Sequence, residues 1–125
     1  MEIKLVISDP SSGKAHQFEL KDEKARIFLG KKIGDTVDLT PIGFPGYKVK
    51  ITGGSDKDGF PMRKDVQGTG RRRILLSSGP GYRPREKGIR KRKTVRGNTI
   101  SEEIVQVNVK VIESGEKSLE ELRGG

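Results

Sequence analysis

Between Arg63 and Arg96 the chain carries thirteen Lys and Arg side chains against only Asp65 and Glu86. A 34-residue stretch of net charge +11 cannot be folded into an apolar interior, because each unpaired cation would have to leave water. The other 91 residues hold 13 basic and 15 acidic side chains, a balance of −2, and read as an ordinary, slightly acidic domain. The formal charge of the whole 125-residue protein, +9, therefore belongs to one insert in an otherwise slightly acidic sequence. Like charge on this scale opposes compaction unless an anion compensates, which points to nucleic acid or an anionic membrane surface.

Outside the insert the sequence reads as β. Val and Ile supply 20 of the 38 hydrophobic residues and Ala only two, which favours pleated, half-buried surfaces over helices. Ile3, Leu5 and Ile7 alternate with polar neighbours, as do His16, Phe18 and Leu20. The turn-rich Asp9-Pro10-Ser11-Ser12-Gly13 between them makes a hairpin. Lys21 to Phe28 suits one or two helical turns ended by Gly30. Ile33 to Leu39 reads as a glycine turn leading into a short strand. Tyr47, Val49 and Ile51 form a strand expected to stop at Thr52-Gly53-Gly54. The strongest alternation is late, at Val105, Val107, Val109 and Val111. Ser118-Leu119-Glu120-Glu121 matches a capping box and starts a short C-terminal helix. Within the insert, Ile74-Leu75-Leu76 is expected to be a buried strand and the remainder mostly loop, and Gly97-Asn98 just beyond it a turn. The expectation is a mainly β protein, one domain over residues 1–125. It is a single small β-barrel of about six short strands, with long basic loops over 63–96 and a short C-terminal helix.

Several chemistries fall away. With no Cys there is no disulfide, zinc-thiolate site, iron–sulfur cluster or thiol nucleophile, and a reducing compartment is expected. No apolar run approaches the roughly 18 residues of a membrane span, and the N-terminus lacks the features of a signal peptide. His16, the only imidazole, sits on the apolar face of a strand and reads as structural. Asp56-Lys57-Asp58-Gly59 superficially resembles a calcium loop. However, Gly54 stands where the first ligand belongs and Asp65 where a longer acid belongs, so an Asx turn with Phe60 and Met62 packed inward is expected. The backbone amides of Gly53 and Gly54 are a weak phosphate-holding candidate. Neither a nucleotide-binding nor a hydrolase signature is present. No catalytic residue, metal or cofactor is expected.

The candidate ligand-binding residues are the clustered cations Arg71, Arg72 and Arg73, then Arg83, Arg85 and Lys87, then Arg90, Lys91, Arg92, Lys93 and Arg96. Nine of the thirteen cations in the insert are Arg, whose planar fork pairs with phosphate oxygens. Tyr82, set among glycines and arginines in Ser78-Gly79-Pro80-Gly81-Tyr82-Arg83-Pro84-Arg85, either stacks on an unpaired base or anchors the loop to the protein body. The alternatives are a solvated loop or transport signal, a DNA-coating chromatin protein, and an RNA-processing nuclease acting through Asp56, Asp58 or His16.

The run from Ile51 through Thr52-Gly53-Gly54-Ser55-Asp56-Lys57-Asp58-Gly59-Phe60-Pro61-Met62 to Arg63 resembles the ribosomal protein S6e family. So do Arg73-Ile74-Leu75-Leu76-Ser77, Gly81-Tyr82-Arg83-Pro84, the stretch Arg90 to Ser101 and the strand around Val105-Gln106-Val107-Asn108. The resemblance covers nearly the whole chain. It implies a non-enzymatic structural component of the small ribosomal subunit in the cytoplasm. Such a protein would be bound to ribosomal RNA near the foot of the particle, beside other ribosomal proteins. Eukaryotic members continue into a long basic helix bearing phosphorylated serines. This chain stops at Gly125 and resembles the short archaeal form, so that regulation is not expected here.

Overall fold

The computed structural model describes residues 1–85 and 88–123. Seven strands among them form two sheets. Strand β1 (Glu2–Asp9) turns back into β2 (Lys14–Lys21), followed by the single helical turn α1 (Glu23–Arg26), β3 (Thr36–Asp38) and β4 (Lys48–Asp56). Next come β5 (Arg71–Leu76), β6 (Lys91–Arg96), β7 (Ile104–Glu113) and the short helix α2 (Leu119–Arg123).

The larger sheet has the order β2-β1-β7-β4-β3, and β5 and β6 pair with one another as a separate ribbon. This corrects the expected barrel. The edge strands β2 and β3 lie at opposite ends of the sheet, and no ladder among the described residues joins them. Alternation shows that a strand has one buried face, but it is silent on whether the edges meet. The sheet centre holds a parallel pair, β1 beside β7, which sets the first and last strands of the chain side by side.

Facing residues set the two surfaces of the sheet. Leu5 opposes Phe18, and Ile7 opposes His16 across the β1–β2 hairpin. Leu5 and Ile7 also neighbour Val107 and Val109 of β7, and Val109 in turn opposes Ile51 of β4. Leu5, Ile7, Ile51, Val107 and Val109 belong to one apolar cluster, bordered by Phe18, that also holds Ala25, Phe28, Ile42, Phe44, Ile100 and Leu119. The rings of Phe18 and Phe44 meet edge to face with centroids 4.8 Å apart. The other face carries Lys4, Ser8, Gln17, Glu19, Lys50 and Lys110, all exposed.

Two local expectations hold and two change. The Ser118 hydroxyl accepts the Glu121 N–H at 3.2 Å, as a capping residue should. His16 is buried on the core face of β2. Strand β4, however, does not stop at Thr52 but continues through Gly53 and Gly54 to Asp56. The ladder shifts register at Thr52, as a bulge does, and glycine is required beyond it. A Cβ on Gly54 would lie 2.5 Å from the Gln106 carbonyl oxygen and 3.0 Å from the Met62 sulfur. A further register shift, at Val105, moves that residue out of phase. It is 39% exposed, whereas Val107, Val109 and Val111 are buried.

Candidate nucleic-acid interface

The basic segment is more ordered than expected. Strands β5 and β6 both lie within it and form an antiparallel ribbon, so it is not mostly loop. Leu75 is 53% exposed, so the apolar run Ile74–Leu76 is a one-sided strand rather than a buried one. Alternation is hidden in the sequence because cations occupy both faces of the ribbon. Directly opposed residues share a face. One face carries Arg72, Ile74 and Leu76 opposite Val95, Lys93 and Lys91. The other carries Arg71, Arg73 and Leu75 opposite Arg96, Thr94 and Arg92.

A second, small core fixes the first face: Leu76 and Val95 pack with Val66, and Ile74 and Tyr82 border them. Tyr82 also lines an open cleft of about 620 Å³ with Arg83, Arg85, Ile89, Arg90, Lys91 and Lys93. It therefore anchors the loop and contributes to the cationic surface at once. The loop is folded down onto the ribbon, where a Cβ on Gly81 would lie 2.9 Å from Val95.

Three arginines of the segment are ion-paired within the fold and hold this arrangement, Arg71 with 34% of its side chain still exposed. Arg63 forks onto Asp65 through Nε at 2.9 Å and Nη2 at 3.1 Å. Its Nη1 donates to the carbonyl oxygens of Ser78 at 3.3 Å and Pro80 at 2.8 Å, tying the loop to the base of the ribbon. Arg71 donates through Nε to Asp56 at 2.9 Å, bonds Asp58 through Nη2, and lies 4.8 Å above the Phe60 ring. Arg96 is 3% exposed. Its Nη1 is 3.6 Å from Asp56 and 3.4 Å from Glu103, and its Nη2 donates to Ser101 at 3.1 Å. Of the residues expected to bind the ligand, Arg71 and Arg96 therefore have their charges neutralised within the fold. The structural role of Arg63 had a sequence signal in the adjacent Arg63-x-Asp65 spacing.

Asp56 is the acceptor on which this network converges. Its carboxylate is fully buried and also accepts the amides of Asp58 at 3.0 Å and Phe60 at 2.9 Å. The Asx turn expected here is present, and both oxygens of Asp56 are engaged by N–H donors. Burial pushes the carboxyl pKa up, but the Phe60 amide, the Arg71 guanidinium and the Asp58 amide outweigh it and hold the value below that of an ordinary aspartate. The stabilising contribution is complete above the unfolded value of about 3.9, and is lost as the pH falls through the lower folded value. Urea unfolding should show stability declining as the solution is acidified below about pH 4, and an Asp56→Asn variant should show a shallower decline. Identical acid slopes would remove Asp56 from that transition.

The remaining cations are oriented outward. Arg72, Arg73, Arg83, Arg85, Arg90, Lys91 and Arg92 are exposed and Lys93 is half-buried. None has a carboxylate within 4.0 Å among the described residues. Lys87 lies outside the described residues. Gly53 and Gly54, the weak phosphate-holding candidate, are ladder residues of β4 opposite Asn108 and Val107.

Residues 3–124 match the family model described as ribosomal protein S6e. The chain belongs to the ribosomal protein S6e family. Its relatives include the small ribosomal subunit protein eS6 of Methanothermobacter thermautotrophicus, 56% identical over 99% of this chain and 97% of the relative. The protein of that name from Archaeoglobus fulgidus is 52% identical over 98% of this chain and 95% of the relative. The one from Methanocaldococcus jannaschii is 52% identical over 97% and 90%. The S6e match spans both sheets, so the ribbon and its inward network lie inside the family region rather than in an appended tail.

Proposed function

We propose that this protein is a structural constituent of the small ribosomal subunit, acting in the cytoplasm as one domain over residues 1–125 beside neighbouring ribosomal proteins, and that it binds ribosomal RNA through the β5–β6 ribbon and its loop. The relatives support the ribosomal part of this reading, since each of the three is named a small ribosomal subunit protein. They are named as ribosomal components and not as enzymes. The observation that carries the RNA part is the division of the basic segment into two sets. Arg63, Arg71 and Arg96 are neutralised internally, while eight cations around one ribbon and cleft have no carboxylate partner among the described residues.

The mechanism is positional. The large sheet and its core supply a rigid base, and the inward arginines fix the ribbon. Arg72, Arg73, Arg83, Arg85, Arg90, Lys91, Arg92 and Lys93 then meet phosphates, with Tyr82 at the cleft available to stack on a base or sugar. Selectivity comes from RNA shape and the 2′-hydroxyl rather than from base sequence. Family membership argues against the DNA-coating alternative. The test is sedimentation of native lysate through a sucrose gradient. The protein should travel with the small subunit and remain there at moderate salt, and duplex DNA should compete poorly. Recovery exclusively in free or DNA-bound fractions would sink the proposal.

A further inference from the structure

Resting on that reading, we infer that Asp56 is a positioning residue for RNA binding: its buried carboxylate fixes the register and seat of the ribbon, so that a negative charge beside the cationic surface strengthens RNA binding. The ladder supplies the reason. Arg71 and Arg96 are direct cross-strand partners on one face. Like charges so placed repel, and this pair is distinctive in the ribbon. Every other cation opposes a neutral residue: Arg72 faces Val95, Arg73 faces Thr94, Ile74 faces Lys93, Leu75 faces Arg92 and Leu76 faces Lys91.

The Asp56 carboxylate lies against both guanidinium groups of the exceptional pair, 2.9 Å from Arg71 and 3.6 Å from Arg96. It is held by two amides of its own turn, at the end of β4 in the large sheet. The contact therefore joins the ribbon to the body of the protein at one register. A slip of one residue would move every side chain of one strand to the opposite face. A slip of β5 would exchange the faces of Arg72 and Arg73, and a slip of β6 those of Lys91 and Arg92, so the charge pattern presented to RNA would change without any change in composition.

The experiment sets geometry against net charge. Asp56→Asn and Glu19→Gln each raise the net charge by one unit, and Arg96→Lys leaves it unchanged. Affinity is measured for an in vitro transcript of small-subunit ribosomal RNA and for poly(U), an unstructured polyanion. Amide hydrogen exchange is followed in parallel. Asp56→Asn should weaken binding to the folded RNA by about 10-fold while leaving poly(U) binding unchanged or tighter. Protection should fall in β5 and β6 and persist in β1, β4 and β7. Arg96→Lys, which keeps the charge but lacks the fork, should behave the same way and decides the matter if Asp56→Asn loses protection throughout. Glu19→Gln, on the exposed face of the large sheet, should bind the folded RNA as tightly as the natural protein or more so.

Folded-RNA affinity in Asp56→Asn and Arg96→Lys equal to or above that of the natural protein would overturn the role of Asp56. A natural protein that does not prefer the folded transcript to poly(U) would instead overturn the RNA reading itself.

Discussion

Replacing Arg90, Lys91, Arg92 and Lys93 together with Ser is expected to weaken binding to small-subunit ribosomal RNA by on the order of 10²–10³-fold at 0.1 M salt. Each phosphate contact contributes about 0.7–0.9 to the slope of log affinity against log salt concentration, so losing four should reduce that slope by about three. The cluster begins where the chain enters β6 and shares the cleft with Tyr82 and Arg83. Its side chains have no internal carboxylate partners among the described residues. Fluorescence anisotropy over 50–300 mM salt measures both quantities. An unchanged slope would mean that these side chains touch no phosphates. Arg63→Gln is different in kind: it removes the clamp on the Ser78 and Pro80 carbonyls, and its effect should be lost loop order rather than a lost phosphate contact.

The largest stability effect is expected away from the ribbon. Phe28, just beyond α1, is fully buried in the main cluster. Phe28→Ala removes a large apolar contact and leaves a cavity that the sheet cannot readily fill, at a cost of about 3–5 kcal/mol. That is a large share of the stability of a domain this size. The urea midpoint should fall with little change in slope. The neighbouring Leu29 is 40% exposed, and Leu29→Ala should change stability by no more than about 0.5 kcal/mol. Comparable losses at the two positions would contradict the placement of Phe28 under the sheet.

These two predictions lie at opposite ends of what the sequence discloses. The hairpin was legible because Ile3, Leu5 and Ile7 and then His16, Phe18 and Leu20 alternate cleanly on either side of a turn. The helical cap was legible because Ser118 and Glu121 stand at a fixed offset. The open edges of the sheet were not, because they depend on which distant strands become neighbours. The pairing of β1 with β7 leaves no local mark. Strand β4 was cut short because Gly53-Gly54 reads as a turn. The glycine there serves close packing against Gln106 and Met62 instead.

The basic segment was recognisable as a charge surplus, but charge counting treats all thirteen cations alike. What separates Arg71 and Arg96 from their neighbours is the long-range approach of Asp56, Asp58 and Glu103, and no spacing rule contains it. The ribbon itself was obscured because Arg and Lys occupy positions on both of its faces, erasing the period of two that betrayed β1 and β7. The family resemblance was carried by specific runs such as Thr52 to Met62 and implied the ribosomal context, but gave no strand pairing.

RNA is proposed to meet the ribbon and its loop, whose seat is fixed by the ion-paired arginines Arg63, Arg71 and Arg96. Amide hydrogen exchange of the intact protein with and without the small-subunit ribosomal RNA transcript tests it most directly. Added protection should appear in residues 72–76 and 81–95, with the exposed face of the large sheet around Lys4, Gln17 and Lys110 unchanged. Protection confined to that sheet face, with none gained in the ribbon or its loop, would contradict the account.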